Sequence, residues 1–365
     1  VGGLPLRLPM VDIHTVGAGG GSLARVDEGG ALVVGPESAG ADPGPACYGR
    51  GEQPTVTDAN LLLGRLHPNH FLGGRMPLYP ERAVSAFERL AGAMGVGGGE
   101  EAAWGVVAVA DATMVRAIRA ISVERGYDPR IFTLVAFGGA GPLHACALAE
   151  ALSIPRVLSP RAPGVLSALG MVLADLVKDY SRTVMLAQSA LEAGELTAAF
   201  ESIEARARQD LLNEGIPEGA MTITRALDVR YVGQSHELTV FEPDDGRWAA
   251  AFHAAHERRY GYKQPEEPIE IVNIRIKAIG RGPKPAFERL PEGGSEPTAA
   301  FLGEAPAWFA LDAPQPAALY ARERLEAGNR LIGPAVIFQL DATTVIPPGW
   351  HGVVDRWGNL ILERK

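Results

Sequence analysis

The segment from Ile131 to Ala151, I-F-T-L-V-A-F-G-G-A-G-P-L-H-A-C-A-L-A-E-A, constrains the fold more than any other. Ile131 to Phe137 is an apolar run rich in β-branched and aromatic residues, long enough for a buried strand. Gly138, Gly139 and Gly141 follow directly, and Pro142 opens an alanine-rich stretch that predicts a helix. Proline suits a helix start because its missing N–H is one the helix cannot pair. The order is strand, glycine turn, helix start. It leaves bare backbone N–H groups and the positive end of the helix dipole facing whatever lies above the strand. An anion or a nucleotide is the usual occupant, and a tight β–α turn with no ligand accounts for the same residues equally well.

Two familiar phosphate motifs are excluded. A dinucleotide fingerprint wants a third glycine where His144 stands, and an acidic residue closing the next strand, Pro155 to Ser159, where there is none. A Walker loop needs Gly-Lys-Ser or Gly-Lys-Thr, which does not follow the turn.

The 365 residues are enough for two or three domains, and 47% hydrophobic with 21% charged residues is a globular composition. A net charge of −9 without any run of Lys or Arg speaks against a nucleic-acid partner. No stretch approaches the ~20 apolar residues that span a bilayer, and no charged-then-apolar leader opens the sequence, so no membrane partner and a cytoplasmic location are expected. Cys47 and Cys146 offer neither a disulfide framework nor metal spacing.

Val11 to Val16 is a candidate strand running into a second glycine loop, Gly17-Ala-Gly-Gly-Gly-Ser22. Without a lysine, its phosphate-binding capacity rests on backbone N–H groups and the Ser22 hydroxyl. Leu23 to Val26 and Ala31 to Val34 read as a hairpin across Asp27-Glu28-Gly29-Gly30. Gly35 to Gly51 is too rich in glycine and proline for a regular element and reads as a functional loop, with Cys47 a buried structural thiol. Thr57 or Asp58 caps a short helix; alternatively Asp58 is a carboxylate facing the cleft. His67 and His70, in a loop with no third ligand in view, read as surface residues. Helices are expected at 81–93 and 100–125, the latter closed by Gly126. His144, just behind the central glycine turn, is the histidine nearest the cleft, with helix packing as its other role.

The fold class expected is α/β for residues 1–187, an α+β module over 188–285, and a connector with a β-rich region over 286–365, where Trp350 and Trp357 fill a small cap.

Taken in order, T-V-G-A-G-G-G-S (Thr15–Ser22), S-A-G-A-D-P-G-P-A-C-Y-G-R-G (Ser38–Gly51), T-V-T-D-A-N-L (Thr55–Leu61), L-V-A-F-G-G-A-G-P-L-H-A (Leu134–Ala145), P-G-V-L-S-A-L-G (Pro163–Gly170), Y-V-G-Q-S-H-E-L (Tyr231–Leu238), H-E-R-R-Y-G-Y (His256–Tyr262), G-P-A-V-I (Gly333–Ile337) and P-P-G-W (Pro347–Trp350) span the chain. In this combination the chain resembles the hydantoinase A / 5-oxoprolinase family, which is related to acetone and acetophenone carboxylase subunits. The resemblance implies an ATPase core of the actin, hexokinase and chaperone (ribonuclease H-like) type. It implies that Gly138, Gly139, Ala140 and Gly141, and Gly19, Gly20, Gly21 and Ser22, hold the phosphates and the sugar or base of a nucleotide. It also implies ATP and Mg2+ as cofactors; Asp12 and Asp58, near the glycine loops in sequence, are candidate metal carboxylates, and Asp58 and His144 are candidate catalytic residues. The activity implied is ATP-driven opening of a cyclic amide or imide such as 5-oxoproline or a hydantoin, with a B-type subunit as partner. A ketone carboxylase subunit and a catalytically silent scaffold are the alternatives. The family's acidic-Gly-Gly-Thr motifs, which precede the Thr15–Ser22 loop, are not in this sequence. A chain of this kind is expected to need an upstream segment. Phe338 stands where the family pattern has an acidic or polar residue.

Overall fold

The computed structural model of the chain describes Val11, residues 13–191 and residues 194–364. Two compact units emerge, one of Val1–Leu169 with Phe287–Lys365 and one of Gly170–Ala286.

In the first unit, Val11 and residues 13–16 carry no regular structure, so the strand expected there is not formed among the described residues; Asp12 lies outside them. β1 (Ser22–Val26) and β2 (Leu32–Ser38) pair as the expected antiparallel hairpin. Asp27 sets the turn. Its Oδ1 accepts from the N–H groups of Gly29 and Ala31, each at 2.9 Å, and Gly30 takes a φ of 83° that glycine adopts without strain. α1 (Val56–Leu62) starts from a capping box in which Thr55 Oγ1 accepts from the Asp58 N–H and the Asp58 carboxylate accepts from the Thr55 N–H. The N-cap is therefore Thr55, not Thr57 or Asp58. α2 (Pro80–Met94) opens with a proline and stops at Gly95, whose φ is 71°. α3 (Gly99–Ile121) buries Ala102, Ala103, Val106, Val107 and Ala110 in a core shared with α1, α2 and the hairpin. It ends short of Arg125 because residues 123–125 tighten into a 3-10 turn before Gly126.

β3 (Thr133–Val135), α4 (Gly141–Ala151) and β4 (Arg156–Ser159) follow, with β3 and β4 parallel. The central strand is shorter and more open than its sequence suggests. Pro129 and the Asp128 side chain hold residues 129–131 in a 3-10 turn, and among the described residues β3 is an edge strand paired with β4 alone. Ile131 is consequently 78% and Phe137 53% exposed. α5 (Leu166–Leu173) crosses the division between units.

The second unit joins β5 (Leu176–Ala187), α6 (Glu195–Asn213), β6 (Met221–Tyr231), β7 (Leu238–Phe241), α7 (Trp248–Tyr260) and β8 (Ile269–Gly280). Its sheet is antiparallel throughout, in the order β5-β8-β6-β7. Phe200 and Leu211 of α6 and Phe252 of α7 pack on Leu227, Ile274 and Ile276 of the sheet.

The chain then returns to the first unit with β9 (Phe301–Ala307), β10 (Gln315–Ala321), β11 (Arg330–Ile332), β12 (Ala335–Phe338), β13 (Thr343–Ile346), β14 (Trp350–Val354) and β15 (Leu360–Arg364). One sheet runs β13-β12-β10-β9; the other runs β11-β14-β15-β4-β3. The final strand thus lies beside β4, in the same sheet as the strand that carries the glycine turn. Ala145 and Ala149 of α4 join Val157, Leu331, Ile337, Trp350, Leu360 and Leu362 in one core. Trp350 is 2% exposed, as expected of a core residue. Trp357 is 37% exposed, with the Arg289 and Arg356 guanidinium groups 5.4 and 5.5 Å from its ring centre, so it covers a surface instead of filling a cap. Among the described residues no helix is long and apolar enough to cross a membrane.

Candidate functional site

The two glycine loops converge. In the first, Ser22 closes its own turn: its Oγ accepts from the Gly19 N–H at 3.0 Å and its N–H donates to Gly19 O at 3.0 Å. The loop is fastened to α1 by Thr57, whose N–H and Oγ1 both donate to Gly20 O, at 2.8 and 2.9 Å. It is fastened to the hairpin by the Ala39 N–H, 2.9 Å from Gly21 O. A Cβ on Gly20 would stand 2.8 Å from Thr57 Oγ1, and one on Gly21 2.8 Å from Ser38 Oγ, closer than side chains tolerate. A side chain at either position would have to displace a hydroxyl of a neighbouring element, which favours glycine there.

The second loop leaves β3 through the Ala136 N–H, which donates to Leu158 O at 2.8 Å, and the Gly138 N–H, which donates to Pro163 O at 2.7 Å. Ala140 is the N-cap of α4 and supplies no side-chain cap; Pro142 has no N–H and the Leu143 N–H donates to Ala140 O at 3.1 Å, which leaves the Gly141 N–H as the first-turn donor without a partner in its own helix. Gly20, Gly21, Gly139 and Ala140 line a single cleft of about 350 Å³. Tyr48, Thr57, Leu66, Phe71 and Leu143 line it too, as does the β12–β13 turn, residues 339–343. One wall is glycine backbone and another is largely apolar.

Of the residues singled out in the sequence, Gly20, Gly21, Gly139 and Ala140 therefore come together in the lining. Gly19, Ser22, Gly138 and Gly141 belong to the same two turns and shape them without lining the cleft. Asp58 does not face it. Fully buried, its carboxylate accepts from the N–H groups of Ala46 (3.1 Å), Cys47 (2.7 Å) and Thr55 (2.9 Å) and from Thr55 Oγ1 (2.8 Å). With four donors around it, Asp58 pins the glycine- and proline-rich loop to α1 and has no access to a metal or a substrate. His144 is 3% exposed and turned toward α3, with Nδ1 2.7 Å from Asp111 Oδ1; it ties α4 to α3 and is not in the cleft lining. Asp12 lies outside the described residues. Cys47 is buried and unpaired, and burial, reinforced by Asp58, pushes its thiol far above the usual range. Burial also pushes the Tyr48 phenol up to about 12, with Cys47 and Asp58 adding to the effect. Among the described residues no three or more His, Cys, Asp or Glu side chains gather as a metal site.

The residue the sequence did not bring forward is Asp341. It is the acidic side chain of the cleft lining, delivered by the β12–β13 turn. Gly164 N–H donates to its Oδ2 at 2.8 Å, and Gln339 Nε2 donates to its Oδ1 at 2.5 Å. It lies between the two C-terminal motifs, in a stretch with no local signature of chemistry, and only the packing of the turn against the glycine loop brings it into view.

Residues 1–180 match the family model described as hydantoinase/oxoprolinase, and residues 186–364 match that of the hydantoinase/oxoprolinase C-terminal domain. Uncharacterized protein MJ0964 of Methanocaldococcus jannaschii is 41% identical across 99% of this chain and 52% of its own length. Caprolactamase subunit alpha of Pseudomonas jessenii is 36% identical across 96% of this chain and 52% of its own length. The nucleotide-free structure of acetone carboxylase superposes with a TM-score of 0.88 at 28% identity, covering 95% of this chain and 52% of that one. The chain spans about half the length of these relatives.

Proposed function

The chain belongs to the hydantoinase/oxoprolinase family, and from that premise we propose that it carries one part of the ATP cleft of an enzyme that opens a cyclic amide ring. The observation that carries this reading is the convergence of the two glycine loops on one cleft, with Gly20 and Gly21 on one side and Gly139 and Ala140 on the other. The residues fit a phosphate chain. Two stretches of backbone stripped of side chains border the cleft, and the start of α4 adds the Gly141 N–H and the positive end of a helix dipole. The chemistry that ATP would supply there is a phosphoryl group that makes the amide carbonyl oxygen a good leaving group, with Mg2+ accompanying its phosphates. Leu66, Phe71, Leu72 and Met76 give the cleft an apolar wall suited to the ring face of 5-oxoproline, a hydantoin or a larger lactam. We infer that the polypeptide making up the rest of the relatives' length and a B-type subunit complete the site. The two unpaired, buried cysteines suit the reducing conditions of the cytoplasm.

A second reading rests on the likeness to acetone carboxylase. In it the same cleft activates a ketone oxygen for carboxylation. Both readings need ATP in the cleft, and a silent scaffold needs none. The test is calorimetric titration of Mg-ATP into this chain, alone and mixed with the upstream segment of a family member. Binding in the mixture is expected, followed by ring opening of 5-oxoproline, hydantoin or caprolactam. ATP- and bicarbonate-dependent carboxylation of acetone instead would select the second reading. No binding in a folded, assembled mixture would leave the scaffold.

A further inference from the structure

We propose that Asp341 is the side chain through which this protein holds the divalent cation carried by a nucleotide's phosphates, an assignment that rests on reading the cleft as a nucleotide site. Three observations converge on it. First, the turn that carries Asp341 is packed tightly on Gly164 and lies beside the second glycine loop: a Cβ on Gly164 would collide with its backbone oxygen, Cβ and Oδ2, and one on Gly139 would be in ordinary contact with Asp341 O at 3.5 Å. Gly164 is thus required for Asp341 to sit where it does. Second, the carboxylate is held but not saturated. Gly164 N–H and Gln339 Nε2 each occupy one oxygen, and Gln339 is itself fixed by a bond to Arg161 O at 3.2 Å. An ionised carboxylate has about four acceptor positions, so positions remain for a cation.

Third, the charge is wrong for an anion cleft without a cation. A carboxylate opposite a glycine turn and a helix start repels the phosphates those elements attract. Arg322 lies within electrostatic reach but does not cancel that charge by contact, since its Nη2 donates to Ser159 O, Pro160 O and Gly358 O. A cation between carboxylate and phosphate turns the repulsion into attraction. Magnesium is commonly held in this way, by one or two carboxylates, phosphate oxygens and water. With no group of three or more His, Cys, Asp or Glu among the described residues, the cation is one that arrives with the nucleotide.

The experiment measures ATP affinity of the chain in the assembled mixture described above, in EDTA and with Mg2+, for wild type and Asp341→Asn. Wild type should bind ATP roughly tenfold more tightly with Mg2+. Asp341→Asn should lose that gain while binding metal-free ATP at least as well as wild type, which also shows the variant to be folded. An unchanged Mg2+ gain in Asp341→Asn overturns the assignment and leaves the nucleotide site standing. Failure of wild type to bind ATP under either condition overturns both. Should the variant not fold, ferrous ATP with peroxide on wild type decides the matter: backbone cleavage beside residues 340–342 supports the assignment, and cleavage only elsewhere overturns it.

Discussion

A Cβ placed on Gly20 would lie 3.8 Å from the Ala140 Cβ, so the two loops that line the cleft are in van der Waals reach of each other. The same Cβ would stand 2.8 Å from Thr57 Oγ1, the hydroxyl that holds Gly20 O. Gly20→Ala is therefore expected to cost about 1–3 kcal/mol of stability through overpacking and to weaken ATP binding about tenfold. Thr57→Ala removes the obstructing oxygen, so the double variant should be less impaired than the sum of the singles. Denaturant titration and calorimetry of the four proteins give the coupling. Strictly additive losses would mean that the loop is not clamped by Thr57.

Asp58 and Asp341 should separate stability from binding. Asp58→Ala leaves the N–H groups of Ala46, Cys47 and Thr55 without their shared acceptor in a fully buried site. Each buried donor left unsatisfied costs about 1–3 kcal/mol, so a loss of roughly 3–5 kcal/mol in urea denaturation is expected. Asp341→Asn, at a partly exposed turn, should shift stability by less than about 1 kcal/mol. Equal destabilisation would contradict the division of labour between the two carboxylates.

Local signals carried much of this structure. Strand, glycine turn and helix around Gly138 are legible because each step is written in neighbouring residues, and the β1–β2 hairpin turns where Asp27 to Gly30 place it. Direction was not legible. Asp58 and His144 have the chemistry and the chain position of cleft residues, yet a capping box turns one inward and Asp111 draws the other toward α3. Neither partner is marked in the sequence as a partner. Asp341 shows the converse: nothing near it signals a site, and its place is set by a turn packing against a loop remote in the chain. Edge or centre of a sheet is likewise a tertiary fact, which is why the run around β3 reads as buried and is half exposed.

Tyr48 supplies a pH signature. Burial raises its phenol from 10.0 to about 12, so the folded state favours the protonated form. The stability this contributes is complete below pH 10 and is lost as pH rises from 10 toward 12. The difference in phenolate absorbance between wild type and Tyr48→Phe should therefore rise with a midpoint near 12. A midpoint at the value of a free tyrosine would mean that water reaches this wall of the cleft. The buried Cys47 and Cys146 thiols are raised in the same direction, chiefly by burial, and both should resist alkylation at pH 8 until the protein is unfolded.

The most demanding prediction concerns the last strand. β15 pairs with β14 on one side and with β4 on the other, joining Leu360 to Ser159 and Leu362 to Val157. Leu360 and Leu362 are fully buried in the core that also holds Ala145 and Ala149 of the glycine-turn helix. Burial of two leucines contributes roughly 3–6 kcal/mol, a large share of the 5–15 kcal/mol typical of a domain. Removing β15 would in addition leave the inner edges of β4 and β14 without ladder partners. A chain ending at residue 359 should consequently lose hydrogen-exchange protection in β4, β14 and α4 while β6 and β8 keep theirs, and it should bind no ATP. Leu362→Asp, which buries an unpaired charge at the same place, should reproduce the loss in milder form. Retention of protection in β4 by either variant would show that the glycine turn is supported without the C-terminal strand, and that this strand only covers a sheet able to stand by itself.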